Sequence, residues 1–147
     1  MGIIITIGNA TATRIYSERI FPRCSTVCVQ NAEYIDCSNA AVILGAGASI
    51  NDIRCCAAII ANAEDPDSIS LLSGKHAPVI TCGRSSKNTI SISSVTEDRI
   101  SLSLNRSLQT LNGICEPLEQ SYPLIPDIPL YDYMAAFAAY IILGEIS

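Results

Sequence analysis

The chain has 147 residues, enough for one domain to bury a core without disulfide or metal staples. Its net charge of −5 and pI near 4.7 exclude the clustered cations that nucleic acid or an anionic membrane surface requires. Apolar residues make up 49% and charged ones only 16%, more apolar surface than polar side chains readily cover, which points to a partner or to self-association.

Ile3–Ile7 is dense in β-branched residues and predicts a strand. It carries neither a basic leader nor a small-residue cleavage site, so no signal peptide is expected. Asn9 and the residues up to 13 lead into a helical segment through Ile15, Glu18 and Arg19, which ends at Phe21 before Pro22. Residues 26–30 give a short second strand. Ala40–Leu44 is a continuous apolar strand of the type covered on both faces in a parallel sheet. After a small-residue turn at 45–49, Ser49 or Asn51 caps a helix over 50–63, with Ile53, Cys56, Ala57, Ile60 and Ala61 on one stripe. A short helix over 67–73 and a buried strand at Val79–Cys82 follow. The chain reads as free of internal repeats.

From Asn88 the texture changes. Ile90, Ile92 and Val95 alternate with Ser91, Ser93 and Ser94; after an acidic turn, Ile100, Leu102 and Leu104 alternate with Ser101, Ser103 and Asn105. That pattern predicts an antiparallel pair with one wet face. A third strand is expected between Cys115 and Tyr122, then a connector punctuated by Pro123, Pro126 and Pro129. A last helix runs to Leu143 and stops at Gly144. This order implies an α/β fold: a Rossmann-like, mostly parallel sheet flanked by helices, with a small antiparallel sheet near residues 88–122. Residues 1–147 are expected to form a single domain.

Cysteines stand at 24, 28, 37, 55, 56, 82 and 115, an odd number that suits reduced core thiols in a cytoplasmic protein. No set of four cysteines and histidines is spaced for zinc, and His76 is the sole histidine, so no metal is expected. Cys55 and Cys56, adjacent on the expected helix, face different ways, which argues against a redox pair. The apolar run 134–143 is too short to span a bilayer, so no membrane contact is expected either.

Three stretches stand in a telling order: Ile-Ile-Ala-Asn-Ala-Glu-Asp-Pro at 59–66, Pro-Val-Ile-Thr-Cys-Gly at 78–83 and Leu-Tyr-Asp-Tyr-Met-Ala-Ala-Phe-Ala-Ala at 130–139. Their order and spacing resemble the central domain of the Mur ligases, the ATP-dependent amide ligases of peptidoglycan synthesis. Asn62, Glu64 and Asp65 are similar to the family's Asn-x-Asp-Asp-Pro stretch, with Glu64 in place of the first aspartate. The resemblance implies the same α/β fold and the positions where ATP chemistry should lie.

At those positions the chain departs from the family. After the first strand the family has Gly-[ST]-x-G-K-[ST]-[ST], whose amides and lysine hold phosphates. Here Gly8, Asn9, Thr11 and Thr13 mark a degenerate loop with one glycine and no lysine, and Arg14 is the nearest cation. The metal-positioning histidine is missing from 45–51 and the lysine from before Asn62. Where the family has His-Asn-x-x-Asn, the chain ends on Asp132, which accepts hydrogen bonds but cannot both donate to and accept from an adenine edge. The reading is therefore a non-catalytic binding or interaction module with no cofactor and no assigned ligand. Its alternative is a divergent ATP-dependent ligase or nucleotide-binding fragment related to peptidoglycan synthesis. The partner expected is a second copy in a homodimer, or another protein, met through Tyr133, Phe137 and Tyr140 of the last helix and through the antiparallel sheet.

Overall fold

The computed structural model describes residues 2–9, 19, 24–75 and 77–145. The first half contains β1 (Ile3–Ile7), β2 (Ser25–Val29), β3 (Asn31–Asp36), β4 (Ala40–Leu44), β5 (Ser49–Cys55), β6 (Ala58–Asn62), the short helix α1 (Pro66–Ser70) and β7 (Val79–Cys82). The second half contains β8 (Ile90–Val95), β9 (Arg99–Leu104), the hairpin β10 (Leu108–Thr110) and β11 (Gly113–Cys115), β12 (Leu118–Pro123) and the helix α2 (Leu130–Ile142).

Eight strands form one sheet in the order β12-β9-β8-β7-β6-β4-β1-β2. Pairing is parallel from β2 across to β8 and antiparallel from β8 through β9 to β12. Successive side chains of a strand point to opposite faces, and in β4 and β6 both faces are buried. Ala41, Ile43, Ala58 and Ile60 pack under α2, while Val42, Leu44, Ile59 and Ala61 meet Ile35, Ile50 and Ile53 of a second, two-stranded sheet formed by β3 and β5. Each isoleucine so buried contributes about 1.5–3 kcal/mol. α2 is buried from Asp132 to Ile142, and its alanines let it lie close on the sheet.

This arrangement overturns the Rossmann-like α/β expectation. The crossovers from β2 to β4 and from β4 to β6 are the strands β3 and β5, and the chain is mostly β, wound as a solenoid-like stack. Asn31 to Ile35 stack on Ser49 to Ile53, and Ala41 to Ile43 stack on Ala58 to Ile60. The sequence does repeat with the winding: Ile35-x-Cys37 and Ala40-Ala41-Val42-Ile43 recur as Ile53-x-Cys55 and Ala57-Ala58-Ile59-Ile60.

The helix expected over 50–63 is two strands that meet at Cys56 and Ala57. Its three-residue apolar spacing belongs to strands: Ala32 and Ile35 in one lie opposite Ile50 and Ile53 in the other, and both of the latter are buried. Asn51, Asp52, Ile53, Cys55 and Cys56 are all weaker helix formers, so nothing local resists the strand. Of the antiparallel strands, β8, β9 and β12 extend the main sheet, and only the β10–β11 hairpin forms a separate small one. Tyr133, Phe137 and Tyr140, expected to meet a partner, are 0%, 0% and 2% exposed and fill this chain's own core. The helix expected before Pro22 lies outside the described residues apart from Arg19.

Candidate functional site

The chain leaves β1 for β2 on one side and returns to β4 on the other. Loops at the carboxyl ends of parallel strands diverge at such a reversal and leave a crevice, whatever element fills the crossover. A cleft of about 610 Å³ opens there. Asn9, Leu44, Gly45, Ala46, Asn62 and Asp65 line its sheet side, and Ile125–Pro129 of the connector with Tyr131 and Asp132 form the opposite wall.

The sheet side is tightly closed beneath the cleft. Gly45 N donates to Ile7 O at 2.8 Å and Asn9 N donates to Ala46 O at 2.8 Å, tying the end of β1 to the turn after β4. Gly8 has φ +86°, and a Cβ there would stand 2.7 Å from both Ala46 O and Ala48 N. Only glycine fits both the backbone conformation and the space. Gly8 is therefore a packing glycine against the 45–48 turn. Asn9 is exposed at the cleft, while Thr11 and Thr13, with Ala10 and Arg14, lie outside the described residues.

After β6, Asn62 Oδ1 accepts from Glu64 N at 3.0 Å, and Asp65 Oδ1 accepts from Asp67 N at 3.1 Å to cap α1, where Pro66 supplies the first helical position. Glu64 turns away from the cleft: its Oε2 accepts from Arg84 N at 2.7 Å. Its contact with the exposed Arg84 guanidinium, 4.0 Å, adds little. Of the four positions that resemble the family's later motifs, Asn62, Asp65 and Asp132 come together, with Asn9 of the degenerate loop, and Glu64 does not.

Two tyrosines hold the opposite wall. Tyr131 donates its hydroxyl to Leu44 O at 2.7 Å, with Ile60 O at 3.3 Å, so the start of α2 is tied to the end of β4 and the middle of β6. Burial first, then the nearness of the ionisable Cys82, Asp132 and Asp65, pushes this phenol well above its ordinary range, which keeps it neutral and donating. Tyr133 donates to Ile125 O at 2.7 Å and accepts from Ile125 N at 2.7 Å, which fixes the connector. The connector's tip, Asp127, sits at φ 67°, a conformation that aspartate tolerates better than most residues.

Asp132 is 6% exposed in the first turn of α2, where a carboxylate is favoured by the helix dipole. With Asp65 and Asp127 it gives the cleft three carboxylates, and no lysine or arginine lines it among the described residues. The lining accepts hydrogen bonds far more than it donates them. No group of three or more His, Cys, Asp or Glu able to hold a metal occurs among the described residues. The tyrosine ties and the connector wall escaped sequence reasoning; two tyrosines flanking Asp132 just after three prolines were the available signal.

All seven cysteines carry free thiols. Burial pushes Cys82 far up, which leaves it inert as a nucleophile near neutral pH, and burial with Cys55 and Cys37 nearby pushes Cys56 up to about 11, which makes it a slow one. No protein-family model matches the chain, and no curated protein matches it. No helix among the described residues is long and apolar enough to cross a membrane.

Proposed function

We propose that this protein is a non-catalytic binding module whose cleft takes a small ligand bearing positive charge or several hydrogen-bond donors. The lining carries this reading: Asp65, Asp127 and Asp132 bring three carboxylates, beside the Asn9 side chain, to a cleft of about 610 Å³. Those carboxylates oppose the phosphates of a nucleotide, and the glycine that opens the degenerate loop is packed against a turn. A Mur-ligase-like domain without ATP chemistry is the ancestry this reading keeps. Its weight rests on the cleft, because the flanking-helix architecture of that resemblance is not the one observed. Cytoplasmic placement, suited to seven free thiols, belongs to the same reading. So does a second copy of the chain as partner, with the exposed Val79, Leu111 and Ile114 as the apolar surface available to it.

Thermal-shift titration tests the cleft. A cationic probe such as spermidine, or an amino sugar, should raise Tm by several degrees once its concentration is about 100 times Kd, a stabilisation of about 2.7 kcal/mol. Asp132→Asn should remove most of that shift. Mg-ATP and uridine-diphosphate sugars should produce none at millimolar concentration. Micromolar ATP affinity would overturn the proposal.

A further inference from the structure

The corner where the two stacked coils turn holds three thiols that the cleft does not use. The β3–β5 ladder ends with Asp36 opposite Cys55, and Cys37 N donates to Cys55 O at 2.9 Å. Beyond the corner Ala57 N donates to Ala40 O at 2.7 Å as the coils run on into β4 and β6. The residues that follow the Asp36–Cys55 pair in the two coils are Cys37 and Cys56, so continuing the ladder by one residue sets their backbones side by side at about one strand spacing, roughly 5 Å. Disulfides need Cα atoms about 4.4–6.8 Å apart.

We propose that Cys37 and Cys56 close a reversible disulfide between adjacent coils. Sequence reasoning set aside a redox role for Cys55 and Cys56 because it placed them on a helix. Cys55 ends β5 and Cys56 follows it, and the winding brings the Cys37 backbone against that of Cys55. Cys55 is exposed and Cys56 buried, so they leave the ladder on different sides. Cys37 is half-buried, within reach of an oxidant, and its Sγ donates to Asn39 Oδ1 at 3.0 Å, a bond one rotation about its side chain releases. Among the described residues the three thiols do not make a metal-holding group.

The oxidant is a small disulfide such as glutathione disulfide. The Cys37 thiolate attacks one glutathione sulfur, forms a mixed disulfide and expels one glutathione thiolate. The Cys56 thiolate then attacks the Cys37 sulfur, closes the bond and expels the second, and the two protons lost by the cysteines end on the two glutathiones. The closed loop contains β4 and the turn Gly45 to Ala48, so the bond would lock the strand whose end lines the cleft. The high thiol pKa of Cys56 makes closure the slow step near neutral pH.

Incubation of the reduced protein with glutathione disulfide, alkylation and peptide mass spectrometry test this. The expected product is a peptide pair joined between Cys37 and Cys56, two hydrogens lighter, absent from Cys37→Ser and retained in Cys55→Ser. Cys56→Ala, which keeps a small apolar side chain in the core, should stop at the Cys37–glutathione mixed disulfide. A bond confined to Cys55 and Cys56, one lost in Cys55→Ser, or glutathione adducts alone in the unmutated protein would overturn the proposal.

Discussion

The parallel and antiparallel strands share one sheet but are held in different ways. In β4 and β6 two layers of cover, α2 on one face and the β3–β5 pair on the other, leave consecutive side chains equally buried. In β9 only alternate residues are buried, Ile100, Leu102 and Leu104, and the other face is a ladder of hydroxyls. There Ser101 and Ser121 share a hydrogen bond at 2.6 Å, and Asn105 Nδ2 donates to Ser91 Oγ at 2.9 Å. The cleft belongs to the first kind of region. Strands covered on both faces can present a ligand site only at their ends, and there the carboxyl-end loops diverge. The antiparallel strands serve it indirectly, by delivering the connector that becomes its far wall.

The largest expected effect tests the two-sided cover. Ile59→Ala and Ile60→Ala remove neighbours that face opposite layers, and each should cost about 2–5 kcal/mol in urea unfolding. In β9, Leu102→Ala should cost as much, while Ser103→Ala should stay within about 0.5 kcal/mol. An Ile59→Ala cost as small as that of Ser103→Ala would mean that the β3–β5 pair does not seal its face.

The same contrast decides what the sequence could tell. β9 was legible because water on one face imposes alternation on Ile100, Ser101, Leu102 and Ser103. Ala40–Leu44 was legible as a buried strand, but a run buried on both sides says nothing of what covers it, and the cover proved to be strands on one face. Residues 50–63 misled for a related reason, since Ile50 and Ile53 are buried three residues apart in one strand, the spacing a helix would show. The unread repeat, Ile-x-Cys with its Ala-Ala-hydrophobic run, was the corrective signal. In the site, Asn62, Asp65 and Asp132 were singled out and meet, yet Tyr131 bonding Leu44 O across 87 residues leaves no local trace.

A smaller effect should come from the link between the two regions. Tyr133→Phe removes the hydroxyl that both donates to and accepts from the Ile125 backbone. Leaving those groups to find other partners costs about 1–3 kcal/mol. Hydrogen exchange should accelerate at the Ile125 amide well before the amides of β4 and β6 respond. Equal acceleration everywhere would mean that the connector and the parallel strands open as one unit.

The smallest change in stability, with the clearest change in behaviour, is expected at β12, the antiparallel border of the sheet. Leu124 N donates to Asp98 O at 2.8 Å, so alternation turns the backbone groups of Tyr122, Gln120 and Leu118 toward β9 and those of Glu119, Ser121 and Pro123 outward. Each outward position is blunted. Glu119 carries a charge, Pro123 has no N–H, and Arg99 Nη2 donates to Ser121 O at 3.1 Å, occupying a carbonyl that another strand would need. This border therefore resists pairing, and a homodimer of the kind proposed must use another surface. Arg99→Ala with Glu119→Thr and Pro123→Val should alter unfolding free energy by less than about 1 kcal/mol, since all three residues are exposed. Sedimentation velocity should nevertheless show concentration-dependent association of that variant beyond whatever state the unmutated protein adopts. If the unmutated protein is a dimer and Glu119→Lys alone splits it, the border is the interface and the blocked reading of β12 is wrong.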